Sequence, residues 1–430
     1  MTGRTTPPDG GTAATSASGP SAPDTRRPEE PGRTGALVTL LLASTLGVMA
    51  GSVISPVVEV MRGALGVSGT AAGLVVTAHA LAVAVVSPLA GRLIDRRGVR
   101  TPLACGLVLY GLGGATGLFA TSYPVLIVGR LVFGVGAAAV FTGTTVALLQ
   151  LFQGRRRDRV MGWRSAANSV GGVTWPLLGG ALGGISWHGP FAVYLVGLPL
   201  GLLAVLVLPQ GRNNHGTSEG GLVTLVRRSP ALLGFYALQA ASSVFLYAMV
   251  IFLPQRLAAL DIHEPLMVSL YSVVITSAVG SLVGLVYAQL RARLSYPALL
   301  RIAALAWAGA FTVLGVANQP ALLLAGPALL GVGQGLSLPS LTILINENAP
   351  GALRGRAASL AGTVIFGGQF LSPLLLGPLI GATSSTTGFL VAASLAALIG
   401  LVLLAVRMPS PGDGTTPPAG APATPDSTRA

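Results

Sequence analysis

Apolar positions in this chain neither alternate nor fall on one helical stripe; they come in long blocks. Twelve blocks of spanning length occur, at about 36–58, 69–90, 101–121, 124–149, 160–184, 189–208, 230–254, 266–289, 298–317, 321–345, 355–381 and 385–406. A bilayer core about 30 Å thick needs about 20 apolar residues per helical crossing. Blocks apolar around most of their circumference carry no informative amphipathic face. The pattern predicts an all-α membrane protein with twelve transmembrane helices. The ends read differently. Residues 1–34 and 407–430 are rich in Pro, Gly, Ser and Thr, and 209–228 is a polar break. Too little apolar content to fold implies two disordered tails and a linker. The first apolar run starts only near Ala36, so no signal peptide is expected.

Composition removes other classes. Hydrophobic residues make up 52% of the 430, charged residues 9%, and mean hydropathy is +0.73. So few charges cannot cover a soluble fold, which excludes a soluble enzyme, a disordered chain and a coiled coil. Cys105 is the single cysteine, so no internal disulfide forms, and no metal-ligand spacing exists. No GxxxxGK[ST] is present, so ATP is not the energy source. No catalytic constellation appears, so an enzyme is not expected, and no cofactor or metal is implied.

The net charge of +13 comes wholly from residues 35–406. The connections after the second, fourth, sixth, eighth and tenth blocks hold 17 arginines, counting Arg164 just inside the fifth helix, whereas the odd-numbered connections hold only Arg62 and Arg256. Arginine-rich loops stay cytoplasmic, so both termini are expected in the cytoplasm. This explains the charge without nucleic acid. The expected location is a plasma membrane, that of a bacterial inner membrane.

The chain repeats itself. A shift of 197 residues, without a gap, brings Gly129, Gly134 and Gly136 onto Gly326, Gly331 and Gly333. It also brings Gly154, Arg157 and Arg159 onto Gly351, Arg354 and Arg356, and Gly171, Pro176 and Gly180 onto Gly368, Pro373 and Gly377. Two pseudo-symmetric six-helix bundles follow, 35–208 and 229–406, in the parallel-repeat architecture of a transporter with its site between the halves.

After the second block the chain reads Gly91-Arg-Leu-Ile-Asp95-Arg96-Arg97-Gly98-Val-Arg100. This resembles the major facilitator superfamily, whose loop signature is G-x-x-x-D-R-x-G-R-R/K; Val99 stands where Arg is commoner. Gly91 suits close helix approach, Asp95 can face a helix N-terminus, and Gly98 permits a tight turn. The resemblance implies a conformational latch made by Gly91, Asp95, Arg96, Gly98 and Arg100 against the eleventh helix. The second-half counterpart keeps Arg293 but lacks the acid, so the latch is expected to be asymmetric.

The fifth helix carries Gly171, Gly172, Trp175, Pro176, Gly179 and Gly180, which resembles the family's antiporter motif G-x-x-x-G-P-x-x-G-G, with Trp175 in a glycine position. Pro176 bends the helix, and the resemblance implies a gating element of drug:proton antiporters. Ser186-Trp187-His188-Gly189-Pro190-Phe191 looks like the exporters' Trp-Arg-x-x-Phe, with His188 for Arg.

Arg130, about six residues inside the fourth helix, is the one charge placed well inside the bilayer, where a cation needs a cavity or a partner. The family links an Arg here, followed by Gly134-Val-Gly136, to proton transfer. No acid sits mid-helix. Glu59 is expected to pair with Arg130, with Glu59 or mid-membrane His79 as the proton site. Asn168, Gln239, Tyr247, Tyr271, Trp307, Gln334 and Gln369 are candidate cavity residues. Without a mid-cavity acid a strongly cationic substrate has no counter-ion; a neutral, weakly charged or anionic one is favoured, with Arg130 open to an anion.

The reading is a monomeric secondary transporter exporting a small molecule (a drug, antibiotic or metabolite) against protons, by alternating access. An uptake symporter or facilitator of the same fold is the alternative. A non-transporting sensor would need a folded extramembrane domain, and the loops are too short for one.

Overall fold

The computed structural model describes residues 31–209, 225, 229–350 and 353–406. The expected tails, apart from residues 31–34, and most of the linker lie outside them. Residues 31–34 already belong to the first helix, which begins at Pro31. Among the described residues there is helix and no strand. Among the described residues twelve helical passes follow one another: α1 (31–65), α2 (Gly69–Arg97), α3 (Arg100–Leu118), α4 (Tyr123–Leu151), α5 (Gly154–Gly183), α6 (Gly189–Val207), α7 (Ala231–Ala258), α8 (Pro265–Arg293), α9 (Tyr296–Val316), α10 (Pro320–Asn348), α11 (Arg354–Ala382) and α12 (Ser385–Ala405).

Several helices outrun their apolar blocks. α2 continues to Arg97, so Asp95 and Arg96 lie on its last turn, where cations suit the negative helix end. Gly98 then turns the chain at φ 77°, a backbone open to glycine. Ser68 caps the other end of α2, its hydroxyl accepting from the Ala71 N–H at 3.2 Å. α1 is interrupted: it leaves the α-helical path after Ser52, passes through a 3₁₀ turn at Ser55–Val57 around Pro56, and resumes at Val58. α8 holds a π-helical turn at Leu270–Val274. Eleven of the passes are long and apolar enough to cross a membrane; α5 is not. Its first turns carry Arg155, Arg156, Arg157 and Arg159, and its glycine-rich remainder includes Asn168 and Pro176. That helix lies between α1 and α8, so packing rather than greasiness holds it in place.

Packing follows the duplication. α4 lies against α3 and α2, and α10 lies against α9 and α8. Gly134 on α4 meets α2 at His79, and Gly331 on α10 meets α8 at Thr276; the 197-residue shift carries one pair onto the other. Gly136 meets Gly106 and Tyr110, and Gly333 meets Ala303 and Trp307, again in register. The halves touch through two symmetric helix pairs, α2 with α11 and α5 with α8.

These inter-half contacts tighten at the face away from the chain ends. There a Cβ on Gly73 would lie 2.8 Å from Ile251 Cγ2 and 2.8 Å from Pro373 Cβ, and the Ser55 hydroxyl donates to the Val250 carbonyl at 2.7 Å. At the face that carries the ends, the halves part. A cleft of about 450 Å³ separates α2 and α4 from α11, lined by Ser87, Gly91, Asp95, Ser359, Gly362 and Phe366 among others. The ring of Phe141 meets that of Phe366 edge-on at 5.4 Å within it.

Candidate functional site

Among its described residues the first half holds one fully buried cation. Arg130 is 1% exposed, and His79 is 0% exposed. Gly134, one turn beyond Arg130 on α4, lets the two backbones close: a Cβ there would lie 2.9 Å from His79 Cα. Arg130 Nη2 and His79 Nδ1 are then 3.1 Å apart. The break in α1 supplies the other partner. Carbonyls in the last turn of a helix lack an intrahelical donor, and Ala50 is in that turn. Arg130 Nη2 donates to the Ala50 carbonyl at 2.5 Å, and the Tyr194 hydroxyl from α6 donates to the same oxygen at 2.9 Å. One turn back, the Tyr110 hydroxyl from α3 donates to the Leu46 carbonyl at 2.7 Å. The guanidinium lies 4.4 Å from the Phe133 ring centre and 5.3 Å from that of Tyr194, so aromatic faces and carbonyls share the charge. Arg130 Nε and Nη1 and His79 Nε2 have no partner among the described residues. Tyr247 reaches this box from the other half, its hydroxyl 2.9 Å from where a Gly51 Cβ would be.

The second half repeats the geometry without the charge. The repeat shift takes His79 to Thr276 and Arg130 to Pro327, and the Thr276 hydroxyl donates to the Pro327 carbonyl at 3.0 Å. A neutral hydrogen bond thus stands where the first half has its ionisable pair.

Three expectations need correction. Glu59 does not reach Arg130; it binds Arg62 of the same helical turn, with Arg62 Nε 2.9 Å from Oε2. A neighbour three residues along the helix is met before a partner on another helix. Arg130 is not open to an anion, because Phe133, Tyr194 and α1 enclose it. Trp307 lines no cavity: it is 0% exposed, its ring centre 5.5 Å from that of Phe245 and its indole against Gly333, whereas at the matching place Gly136 meets the backbone at Tyr110.

The remaining candidates spread over the interior. On α5, Gly171 faces Thr45 of α1, Gly172 faces Ser277 of α8, Gly179 meets Val53, and Gly180 meets Leu266. The glycines therefore form both seams of α5, with Pro176 buried between them. Trp175 and Asn168 are half-buried, and their Nε1 and Oδ1 have no partner among the described residues. Gln334 and Ser242 bind reciprocally, Nε2 to the Ser242 carbonyl at 2.9 Å and Ser242 hydroxyl to Oε1 at 2.8 Å. Gln239 and Gln369 are buried on α7 and α11. Tyr271 donates to the Pro320 carbonyl at 3.2 Å, which ties α8 to the start of α10 at the closed face. His188 joins the Gly117 carbonyl through Nδ1 at 2.7 Å under a stacked Trp187, anchoring α6 to α3.

The loop residues of α2 face the cleft. A Cβ on Gly91 would meet nothing within 4 Å, so the expected close helix approach is absent in this conformation. Asp95 is exposed, with no ion pair among the described residues, on the cleft wall opposite Gly355 and Ser359 at the start of α11. Arg96 is exposed and Arg100 half-buried. Sequence reasoning missed Tyr110, Phe133, Tyr194 and the Ala50 carbonyl. Three aromatic residues on three helices carry no shared spacing, and the break in α1 has only Pro56 as its signal.

The sequence pattern of the Major Facilitator Superfamily matches residues 40–373, and again 291–429. Multidrug resistance protein 1 of Bacillus subtilis (strain 168) is 28% identical over 184 residues, 43% of this chain and 46% of that protein. Quinolone resistance protein NorA of Staphylococcus aureus (strain Mu50) is 30% identical over 152 residues, 35% of this chain and 38% of that protein. The chain thus spans less than half the length of these relatives. Among solved structures, the nucleoside transporter NupG superposes with a TM-score of 0.72 at 15% identity, covering 86% of this chain and 99% of that one, a likeness of fold.

Proposed function

The chain belongs to the major facilitator superfamily, and from that premise we propose that it is a secondary transporter exporting a small molecule in exchange for protons. The chain ends and the arginine-rich connections lie in the cytoplasm, and the protein works as a monomer in a plasma membrane. The observation that carries the reading is the Arg130–His79 pair, an ionisable contact buried in one half and replaced by the neutral Thr276–Pro327 bond in the other. Scaffold features recur in both halves, so a one-sided ionisable pair serves coupling.

His79 is the proton carrier. Beside Arg130 only one of the two groups is comfortable as a cation, so a proton on His79 drives the pair apart. Separation releases the Ala50 carbonyl, and with it the broken segment of α1 that meets α7 through Ser55. The open cleft at the cytoplasmic face admits substrate. Rocking about the α2/α11 and α5/α8 seams then closes it, and Asp95 latches the α11 N-terminus when the opposite face opens. The drug-resistance names of the sequence relatives support the direction, and so do the glycine seams of α5.

The test uses everted vesicles holding the protein and a proton gradient reported by a pH-sensitive dye. Compound-specific dye recovery that is lost in His79→Ala and Arg130→Ala supports the reading. Recovery that survives both substitutions refutes the coupling pair. Gradient-driven accumulation in the opposite direction establishes uptake instead.

A further inference from the structure

α5 carries a polar stripe that packing does not require. Arg164, Asn168 and Trp175 stand at i, i+4 and i+11, within an arc of about 40° at 100° per residue. Each has a buried polar atom without a partner among the described residues: Arg164 Nε, Asn168 Oδ1 and Trp175 Nε1. Three orphaned groups on one face of one helix, in a protein interior where such groups are normally paired, mark a surface completed by something else. Of the exposed large apolar side chains of α5, Trp163 and Val170 lie on its other side and Leu178 lies about 60° from the centre of the stripe.

The duplication separates scaffold from ligand here. The residues that seat α5 recur on α11: Gly171 with Gly368, Pro176 with Pro373, Gly180 with Gly377. The stripe does not recur. Its counterparts are Ala361, Ile365 and Ser372, and the Ser372 hydroxyl is already satisfied by the Val244 carbonyl. At these three positions α11 carries no arginine, amide or indole; its buried amide, Gln369, stands instead at the counterpart of Gly172.

We infer that the α5 stripe binds the transported molecule, and that this molecule is an anionic amphiphile with a planar apolar body. The inference rests on the transporter reading above and names its substrate class. Arg164 takes the anionic group, Asn168 a hydrogen-bonding group and Trp175 an acceptor beside the ring system. The stripe runs about 16 Å along the helix, so a molecule that spans it carries its anionic group on a side chain of the ring system. The described acids Glu59, Asp95, Asp261, Glu264 and Glu347 sit in end turns and loops of other helices, and Asp158, six residues before Arg164 on α5, lies about 120° round the helix from it. An organic cation finds no counter-charge there, and Arg164 repels it.

Three dansyl probes differ only in charge and tail: dansylglycine (anion), dansylglycinamide (neutral) and dansylcadaverine (cation). Their binding to the full chain in lipid nanodiscs, without any gradient, is followed by dansyl fluorescence. Dansylglycine is expected to bind roughly tenfold tighter than its amide, the worth of one charge-assisted hydrogen bond. Arg164→Gln removes that ratio, Arg164→Lys restores part of it, and Asn168→Ala weakens all three probes alike. Tightest binding of dansylcadaverine, or an anion-to-amide ratio unchanged in Arg164→Gln, overturns the inference. Size-exclusion profiles confirm folded variants, and the Arg164→Lys rescue separates charge from fold. Because no gradient is used, anion preference with no proton-linked efflux in vesicles refutes the export reading and leaves the binding stripe standing. Efflux of the cationic probe alone, indifferent to Arg164, does the reverse.

Discussion

Gly180→Ala adds one methyl group at the seam between α5 and α8, where the halves meet at the closed face. Its Cβ would lie 2.9 Å from Leu266 Cα, 2.9 Å from the Pro265 carbonyl oxygen and 3.0 Å from Ser269 Cβ. Ordinary carbon contacts sit near 3.5–4.0 Å, so the overlap is about 0.6–1 Å against three neighbours. Two of the three are backbone atoms of a helix start and cannot rotate away. Overpacking of this kind costs about 1–3 kcal/mol. The cost falls on the conformation with this face closed and is relieved when α5 and α8 separate. The equilibrium should move roughly 5- to 150-fold toward the state open at this face. The assay places spin labels at Ala64→Cys and His263→Cys, exposed positions on the two halves at that face, in a Cys105→Ser background. The distance distribution should lengthen in Gly180→Ala. Gly162→Ala, on the same helix with nothing within 4 Å, should leave it unchanged. An unchanged distribution in folded Gly180→Ala protein would refute both the seam and the assignment of this face as the closed one.

Glu59→Gln should leave proton-linked transport intact, because Glu59 is occupied by Arg62; loss of dye recovery in vesicles would restore it to the coupling site. Tyr110→Phe removes the hydrogen bond to the Leu46 carbonyl and should lower stability in detergent by about 1 kcal/mol, read as a lower Tm. Trp307→Ala should cost about 3–5 kcal/mol in the same measurement, as a large buried ring leaves a cavity, without changing which compounds bind. Asp95→Asn should slow turnover without altering substrate affinity in the state described, where Asp95 has no ion pair among the described residues; a change in affinity would place it in the binding site instead.

Much of the candidate site was legible as residue types and little of it as geometry. Arg130 and His79 stood out because charge and imidazole are rare inside apolar blocks. The bond between them was not legible, since it depends on Gly134 drawing α4 onto α2, and Glu59 was the more natural partner for an arginine. The Gly–Pro pattern of α5 announced close packing, but not that its glycines divide between α1 and α8. Arg164 read as one more loop arginine until its position on a shared face with Asn168 and Trp175 gave it a second meaning.

Class, number of passes and duplication can all be read along the chain. Those follow from additive, local properties: block length against bilayer thickness, and glycines recurring at one shift. Tertiary structure alone decided which buried polar groups are paired. A helix brings residues of one chain segment to a common face by arithmetic. Which face meets which neighbour depends on contacts between segments distant in sequence, at glycines whose value appears only when two backbones meet. The Ala50 carbonyl shows the difference: as sequence it is an alanine in an apolar helix, and in the fold it is the acceptor shared by Arg130 and Tyr194.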